Sequence, residues 1–262
     1  MHSLYVEKYI KDGNSPWLVF LHGFGGSTKM WKKQLDSFRA RYNLILLDLP
    51  GHGQSRTGIA GLGVERFEDV ADLVVQALIS HGILQAGFVC ASLGTLVFAA
   101  IQEKYPAMVT GAVLCGAVAG VNRGLRLLLK VLDRTKHIFP YMVLLRMFAH
   151  IILPLASHEK SRSFFIESGR LLGGPEFQAW FSLVVRDMYA LKNVTTTMKN
   201  VYFISGTEDF TFLREVKRTF GAMKGVRLTL LHKCGHVCSL QRPREFNDLS
   251  LEFLNESFPA LI

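Results

Sequence analysis

The sequence lacks the marks of several protein classes. It has no basic run interleaved with aromatics and no zinc-finger spacing, so nucleic acid is not an expected partner. No internal repeat or low-complexity tract breaks its 262 residues. A spanning helix needs about 20 clean apolar residues, and no such run is present. The most apolar stretch, 138–156, is interrupted by Pro140, Arg146, His150 and Pro154 and reads as a buried or interfacial helix. The opening segment, MHSLYVEKYIKDG, carries charges where a signal peptide would be apolar. Cysteines number only four. The expectation is a cytoplasmic protein with reduced thiols.

Acidic residues are scarce as well: 21 Asp and Glu stand against 30 Lys and Arg, for a net charge of +9. The excess is uneven. Residues 122–199 hold 12 Lys/Arg and 5 Asp/Glu, so seven of the nine net positive charges fall there. Such a segment can attract anionic substrates or lipid headgroups, and its apolar content suits weak association with a membrane surface. The plainer reading is a solvated basic face. Hydrophobic residues make up 49% of the chain, ample for one large α/β domain with an inserted cap.

Short apolar runs alternate with segments of helical spacing. Strands are predicted over 17–22 (WLVFLH), 43–48 (NLILLD), 87–90 and 109–118, with an earlier one near 4–10. Helices are predicted over 28–40, beginning at Ser27 or Thr28, over 67–80 and over 93–104. From 122 the rhythm gives way to helices alone, over 125–132, 142–152, 161–172 and 176–191. It resumes with a strand over 201–205, a helix over 211–223, a strand over 226–231 and a helix over 243–255. This alternation implies an α/β fold with a mostly parallel central sheet and helices on both faces. The expected organisation is a core of 1–121 and 200–262, interrupted by a helical cap at 122–199 that is too long for an unstructured loop.

Four places carry chemistry. In Phe88-Val89-Cys90-Ala91-Ser92-Leu93-Gly94-Thr95, a strand runs into a helix with almost no connection. A serine at that bend has a strained backbone and an exposed hydroxyl, and small neighbours relieve the crowding. Gly94 is one such neighbour; Cys90 stands where the G-x-S-x-G pattern has its first glycine. His22-Gly23-Phe24-Gly25-Gly26-Ser27 follows the first clear parallel strand. Its backbone suits an oxyanion hole, with one donor assigned to the Phe24 N–H and the other to the Leu93 N–H. Asp209, in Gly206-Thr207-Glu208-Asp209, ends a strand and can orient a histidine. Glu208 is its competitor, and capping of the next helix is the alternative use of Asp209. His236, in Cys234-Gly235-His236-Val237, can reach the serine as base. The order Ser, Asp, His suits a triad on this type of fold.

With these motifs the chain resembles the α/β-hydrolase superfamily over nearly its whole length. Asp48-Leu49-Pro50-Gly51-His52-Gly53-Gln54-Ser55 looks like the D-x-P-G-x-G-x-S loop common there. The resemblance implies Ser92 as nucleophile, His236 as base, Asp209 as acid, and a cap inserted after strand 6. Departures are Cys90 at the elbow and a single early strand where the family often has a hairpin.

The same residues suit other uses. His232, Cys234, His236 and Cys238 alternate and would share one strand face, as a metal site requires. Gly235 breaks that regularity, and no metal is expected. No cofactor is expected either, because no dinucleotide fingerprint fits. Cys90 should point into the core. His22 and His52 read as structural, and His81, His137, His150 and His158 have no acidic partner in view. A serine at the elbow favours acyl transfer. The leading expectation is a carboxylesterase for small or medium acyl esters, its substrate the one small-molecule partner. Phe139, Met142, Leu145, Met147, Phe148, Phe164, Phe165, Phe177, Trp180 and Phe181 are candidates for an apolar acyl pocket. One alternative is a lyase or carbon–carbon hydrolase for an acidic substrate, like the menaquinone-pathway synthase, using Arg123, Arg126, Arg162, Arg170 or Arg186. Another is a ligand receptor without catalysis.

Overall fold

The computed structural model describes residues 4–189, 200–221, 223 and 225–257. Seven strands form one sheet: β1 (Val6–Tyr9), β2 (Trp17–Leu21), β3 (Asn43–Leu47), β4 (Ala86–Ala91), β5 (Val109–Cys115), β6 (Val201–Gly206) and β7 (Val226–Leu231). Their spatial order is β1-β3-β2-β4-β5-β6-β7. Only β1 runs antiparallel, against β3; all other pairs are parallel. This is the mostly parallel sheet that the alternation predicts.

Burial of the central strands on both faces explains their unbroken apolar composition. Successive side chains point to opposite faces, so each strand feeds two cores. Val19, Leu21, Ile45, Leu47, Phe88 and Cys90 face one core, with α2 (Phe67–Ser80) and α3 (Leu93–Lys104) packed on that side. Leu18, Phe20, Leu44, Leu46, Val89 and Ala91 face the other. That second side is covered by α1 (Leu35–Arg39) and α10 (Pro243–Ser257), through Phe38, Phe246 and Leu254. Cys90 is fully buried on the α2–α3 side, as its place before the bend requires.

Between β5 and β6 the described residues contain helices and no strand. These are α4 (Arg123–Thr135), α5 (Tyr141–Ile152), α6 (Glu159–Leu172) and α7 (Gly174–Asp187). The segment follows the fifth described strand rather than strand 6, because the single strand β1 stands in place of an N-terminal hairpin. Asn122 caps α4 by accepting the Leu125 N–H at 2.9 Å, so this helix starts before the apolar spacing does. The predicted end of the last of these helices, Leu191, lies outside the described residues. After β6 come α8 (Leu213–Gly221), β7, α9 (Cys238–Gln241) and α10. Among the described residues no single helix is long and apolar enough to cross a membrane.

Two sequence expectations need correction. The helix predicted over 28–40 is broken into a 3₁₀ turn, Thr28–Trp31, and the short α1. Tertiary contacts win over local spacing here. The Thr28 N–H is taken by Asp48 Oδ1 at 2.6 Å. Gln34, fully buried at the break, donates through Nε2 to Ser239 O and Asn247 Oδ1, both at 3.0 Å. The strand predicted over 109–118 stops at Cys115, where Gly116 turns to φ +54. At Gly116 a Cβ would come 2.2 Å from His236 O, so the chain must turn without a side chain beside that histidine.

Gln34→Ala removes two buried hydrogen bonds and leaves their acceptors unsatisfied. It should lower the unfolding free energy by about 1–3 kcal/mol, read as a lower urea midpoint with an unchanged slope.

Candidate active site

Ser92 sits between β4 and α3 with φ 48 and ψ −113. A non-glycine residue at positive φ costs about 1–3 kcal/mol and persists only where its surroundings hold it. Several bonds hold this one. The Ser92 N–H donates to Cys115 O at 3.0 Å. Thr95 donates to Ser92 O through its N–H at 2.8 Å and its Oγ1 at 2.6 Å. Thr95 Oγ1 in turn accepts the Val118 N–H at 3.1 Å. Gly94 allows α3 to press onto β2: a Cβ there would lie 2.4 Å from Leu21 O.

The sequence-predicted residues converge on this serine. Ser92 Oγ lies 2.8 Å from His236 Nε2, and His236 Nδ1 lies 2.8 Å from Asp209 Oδ2. With the Asp209 carboxylate as acceptor, Nδ1 carries the proton and Nε2 is free to accept from the serine hydroxyl. Asp209 is 0% exposed and His236 3%, so a positive charge on the imidazole would have its counter-ion out of bulk water. Asp209 also caps: its Oδ1 accepts the Phe212 N–H at 3.2 Å. The two uses weighed from sequence are served by its two oxygens.

The loop that carries His236 is clipped to the loop that carries Asp209. The Glu208 N–H donates to Cys234 O at 2.8 Å. The Gly235 N–H donates to Gln241 Oε1 at 2.6 Å. Glu208, the competitor for the acid role, pairs elsewhere: its Oε2 lies 3.0 Å from His158 Nε2. His158 therefore has an acidic partner after all. The sequence missed it because the two residues meet only in the folded chain, 50 positions apart. The alternating His232, Cys234, His236 and Cys238 do not form a strand face, since β7 ends at Leu231. No metal-binding cluster occurs among the described residues.

Phe24 and Leu93 line one narrow cavity together with Ser92. Leu93 is the first residue of α3, so its N–H has no partner within the helix. The neighbouring amides of the glycine loop are occupied: Gly25 N–H donates to His52 Nε2 at 3.0 Å and Gly26 N–H to Gly23 O at 2.9 Å. Among the described residues the Phe24 N–H has no such acceptor.

Two buried histidines and one carboxylate knot the loops beneath. His22 Nε2 accepts the Leu49 N–H at 3.0 Å while its Nδ1–H donates to Gly23 O at 2.7 Å. His52 Nδ1–H donates to Pro50 O at 2.9 Å while its Nε2 holds Gly25. Burial lowers the His22 pKa to about 4. Burial, and then the neighbouring His22, lower that of His52 to about 3. Asp48 Oδ1 and Oδ2 accept from Thr28 N–H and Gln54 N–H at 2.6 and 2.7 Å. The D-x-P-G-x-G-x-S segment is thus a tie between loops. Two contacts invisible in the sequence fasten the α4–α7 segment to it: Trp180 Nε1 donates to Pro50 O at 3.1 Å, and Glu176 Oε1 accepts the Ile59 N–H at 2.8 Å.

A family model described as the alpha/beta hydrolase family matches residues 18–249. The chain belongs to this family. A 2-succinyl-6-hydroxy-2,4-cyclohexadiene-1-carboxylate synthase of Escherichia coli O17:K52:H18 is 43% identical over 114 residues. That match covers 42% of this chain and 40% of the relative, so the chain matches well under half of that protein's length. Among solved structures, a hydrolase from Oleispira antarctica aligns with TM-score 0.80 at 13% identity, covering 97% of this chain and 95% of that one. An enol-lactonase from Burkholderia xenovorans LB400 aligns with TM-score 0.76 at 19% identity, covering 96% of each chain. These two likenesses bear on the fold.

The neutral histidines make stability pH-dependent. Unfolded imidazoles titrate near 6.5, above the folded values of about 4 and about 3. Between these limits the unfolded chain binds more protons. The stabilisation is therefore complete above about pH 6.5 and lost as pH falls toward about 3. The urea midpoint should fall steadily from about pH 7 to about pH 4, and His52→Gln should make that fall shallower.

Proposed function

We propose that this protein is a serine hydrolase that cleaves esters of short acyl groups through an acyl-enzyme on Ser92. The observation that supports it is the hydrogen-bonded series Ser92–His236–Asp209 on a strained strand-to-helix bend. Ser92 Oγ attacks the ester carbonyl and its proton passes to His236 Nε2. Asp209 holds the ring and stabilises the imidazolium. The N–H groups of Phe24 and Leu93 receive the oxyanion. The imidazolium then protonates the leaving oxygen, and water repeats the sequence to release the acid.

Chain length is limited by space. Two narrow cavities, about 40 and 30 Å³, meet at Ser92. Of the aromatics expected to form the acyl pocket, Phe148, Phe165 and Phe181 line one of them, and Phe164 and Phe165 the other. Phe139 and Met147 instead stay exposed, at 44% and 36%. Among the described residues no Lys, Arg, Asp or Glu lines either cavity.

The synthase relative motivates a second reading, a lyase acting on an acidic substrate. Four of the five arginines expected to serve it are engaged elsewhere, and Arg123 lines neither cavity. Arg126 lies over the Tyr189 ring, 4.9 Å from its centroid. Arg162 donates to Leu153 O and Leu155 O at 2.6 and 3.0 Å. Arg170 pairs with Glu167 at 2.6 Å, and Arg186 with Asp187 at 3.3 Å. A carboxylate beside Ser92 would have no counter-charge in these cavities, which favours the esterase.

Weak membrane-surface association is proposed alongside. Leu127, Val131, Ile138 and Val143 are 47–73% exposed, in and between the basic helices α4 and α5. Binding to anionic but not zwitterionic vesicles in co-sedimentation is the expected result.

Ser92→Ala should abolish both fluorophosphonate labelling and p-nitrophenyl butyrate hydrolysis; turnover that survives it would remove the proposal. Asp209→Asn should cost about 10⁴-fold in kcat, and Glu208→Gln far less. In a p-nitrophenyl ester panel, C2–C4 acyl groups should exceed C12 by about tenfold or more in kcat/KM, because a longer chain outgrows the cavities. Turnover of vinylogous diketones or dicarboxylates without ester turnover would favour the lyase.

A further inference from the structure

Beside the cavity that contains Ser92 and His236 runs a groove of about 640 Å³. Six cations line it: Lys29, Lys32, Lys33, Lys160, Lys233 and Arg242. Among the described residues no Asp or Glu lines it, and none of the six pairs with a carboxylate. They come from four separate places: the 3₁₀ turn after β2, the start of α6, the loop after β7 and the end of α9. Folding brings these like charges together, and like charges repel unless an anion lies among them.

The groove also has built features. Lys233 holds φ 48, a left-handed conformation disfavoured for lysine. Its N–H donates to Thr207 Oγ1 at 3.1 Å and its carbonyl accepts from Arg242 Nη2 at 3.2 Å. His158, in the groove wall, is only 1% exposed, and among the described residues its Nδ1 has no hydrogen-bond partner. With Nε2–H donating to Glu208, Nδ1 is left as an acceptor, and a water O–H held under the groove wall would supply its partner.

Position makes the groove part of the reaction site. Met30, Ser161, Phe164 and Leu240 wall both the groove and the uncharged cavity at Ser92. A substrate that places its acyl group in the uncharged cavity can extend its other end past this shared wall. From this we infer that the substrate is a short-chain acyl ester or thioester whose leaving group carries phosphate, held by these six cations. The inference rests on Ser92 acting as the acyl acceptor. Ser92 Oγ bonds to the acyl carbon, and the bond from that carbon to the leaving sulfur or oxygen breaks. The serine proton reaches the leaving atom through His236. Water then cleaves the acyl–serine bond, giving the free acid and restoring the hydroxyl.

The test compares butyryl-coenzyme A, dibutyryl phosphatidylglycerol and uncharged p-nitrophenyl butyrate as substrates. The readout is kcat/KM for each phosphorylated substrate divided by that for the uncharged ester. Lys29→Glu/Lys32→Glu/Lys160→Glu changes exposed side chains, and its fold is checked by circular dichroism. The ratio should fall about tenfold or more in this variant, and less in the corresponding triple Gln variant. In the unsubstituted enzyme the ratio should also fall as salt is raised, because screening weakens exposed charges. Free coenzyme A should inhibit p-nitrophenyl butyrate hydrolysis competitively, and less so in the Glu variant. A fall confined to butyryl-coenzyme A identifies a thioester of a phosphorylated thiol; one confined to the short-chain phospholipid identifies a lipid phosphate. Ratios unchanged for both would overturn the inference, while Ser92-dependent p-nitrophenyl butyrate hydrolysis would leave the serine-hydrolase proposal standing. Loss of all Ser92-dependent turnover in the unsubstituted enzyme would remove both.

Discussion

The site depends on one backbone constraint, the left-handed conformation of Ser92 at the junction of β4 and α3. It lifts the hydroxyl off the sheet edge toward His236 and sets the first amide of α3 beside it. A strained residue keeps its geometry only if the surroundings leave no relaxed alternative. Here Cys115 O, Thr95 and the close approach of Gly94 to β2 remove that alternative. The cost at one residue is met by bonds from β5 and α3, so the rigidity of the bend belongs to the whole sheet.

Around that bend the protein separates its uses of charge. The reacting centre has a single buried carboxylate, Asp209, bonded to His236. His22 and His52 lie close by but are kept neutral by burial, and their ring nitrogens serve as fixed acceptors for loop amides. Histidine thus has two physical settings within one site: bonded to a buried carboxylate at 236, and as a neutral brace at 22 and 52. The cations are held outside the uncharged cavities, in the adjoining groove. An arrangement of this kind lets an apolar acyl group and an anionic remainder occupy different surroundings in one substrate.

Most of the sheet was legible from local pattern. Strands β2, β3, β4 and β6 are short apolar runs because both faces of a parallel sheet are covered, and α2 and α3 repeat apolar residues at helical spacing. Errors occurred where distant groups overrode that pattern. The segment 28–40 has helical spacing, yet Asp48 captures the Thr28 amide and Gln34 is bonded to the C-terminal part of the chain. Strand β5 ends early because Gly116 must pass under His236. Nothing near His158 in sequence points to its partner Glu208.

The sequence alone determined the kinds of chemistry available: a serine at a strand-to-helix bend, a glycine loop after an early strand, and an acid and a base after later strands. These are local properties, set by residue size, backbone freedom and hydrophobic period. Only the tertiary structure decided which acid serves His236, since adjacent carboxylates at 208 and 209 are equivalent until the fold aims them at different imidazoles. It alone also decided that five lysines and an arginine from four separate segments share one groove. Charge proximity is a distance in space, and a linear chain does not carry it.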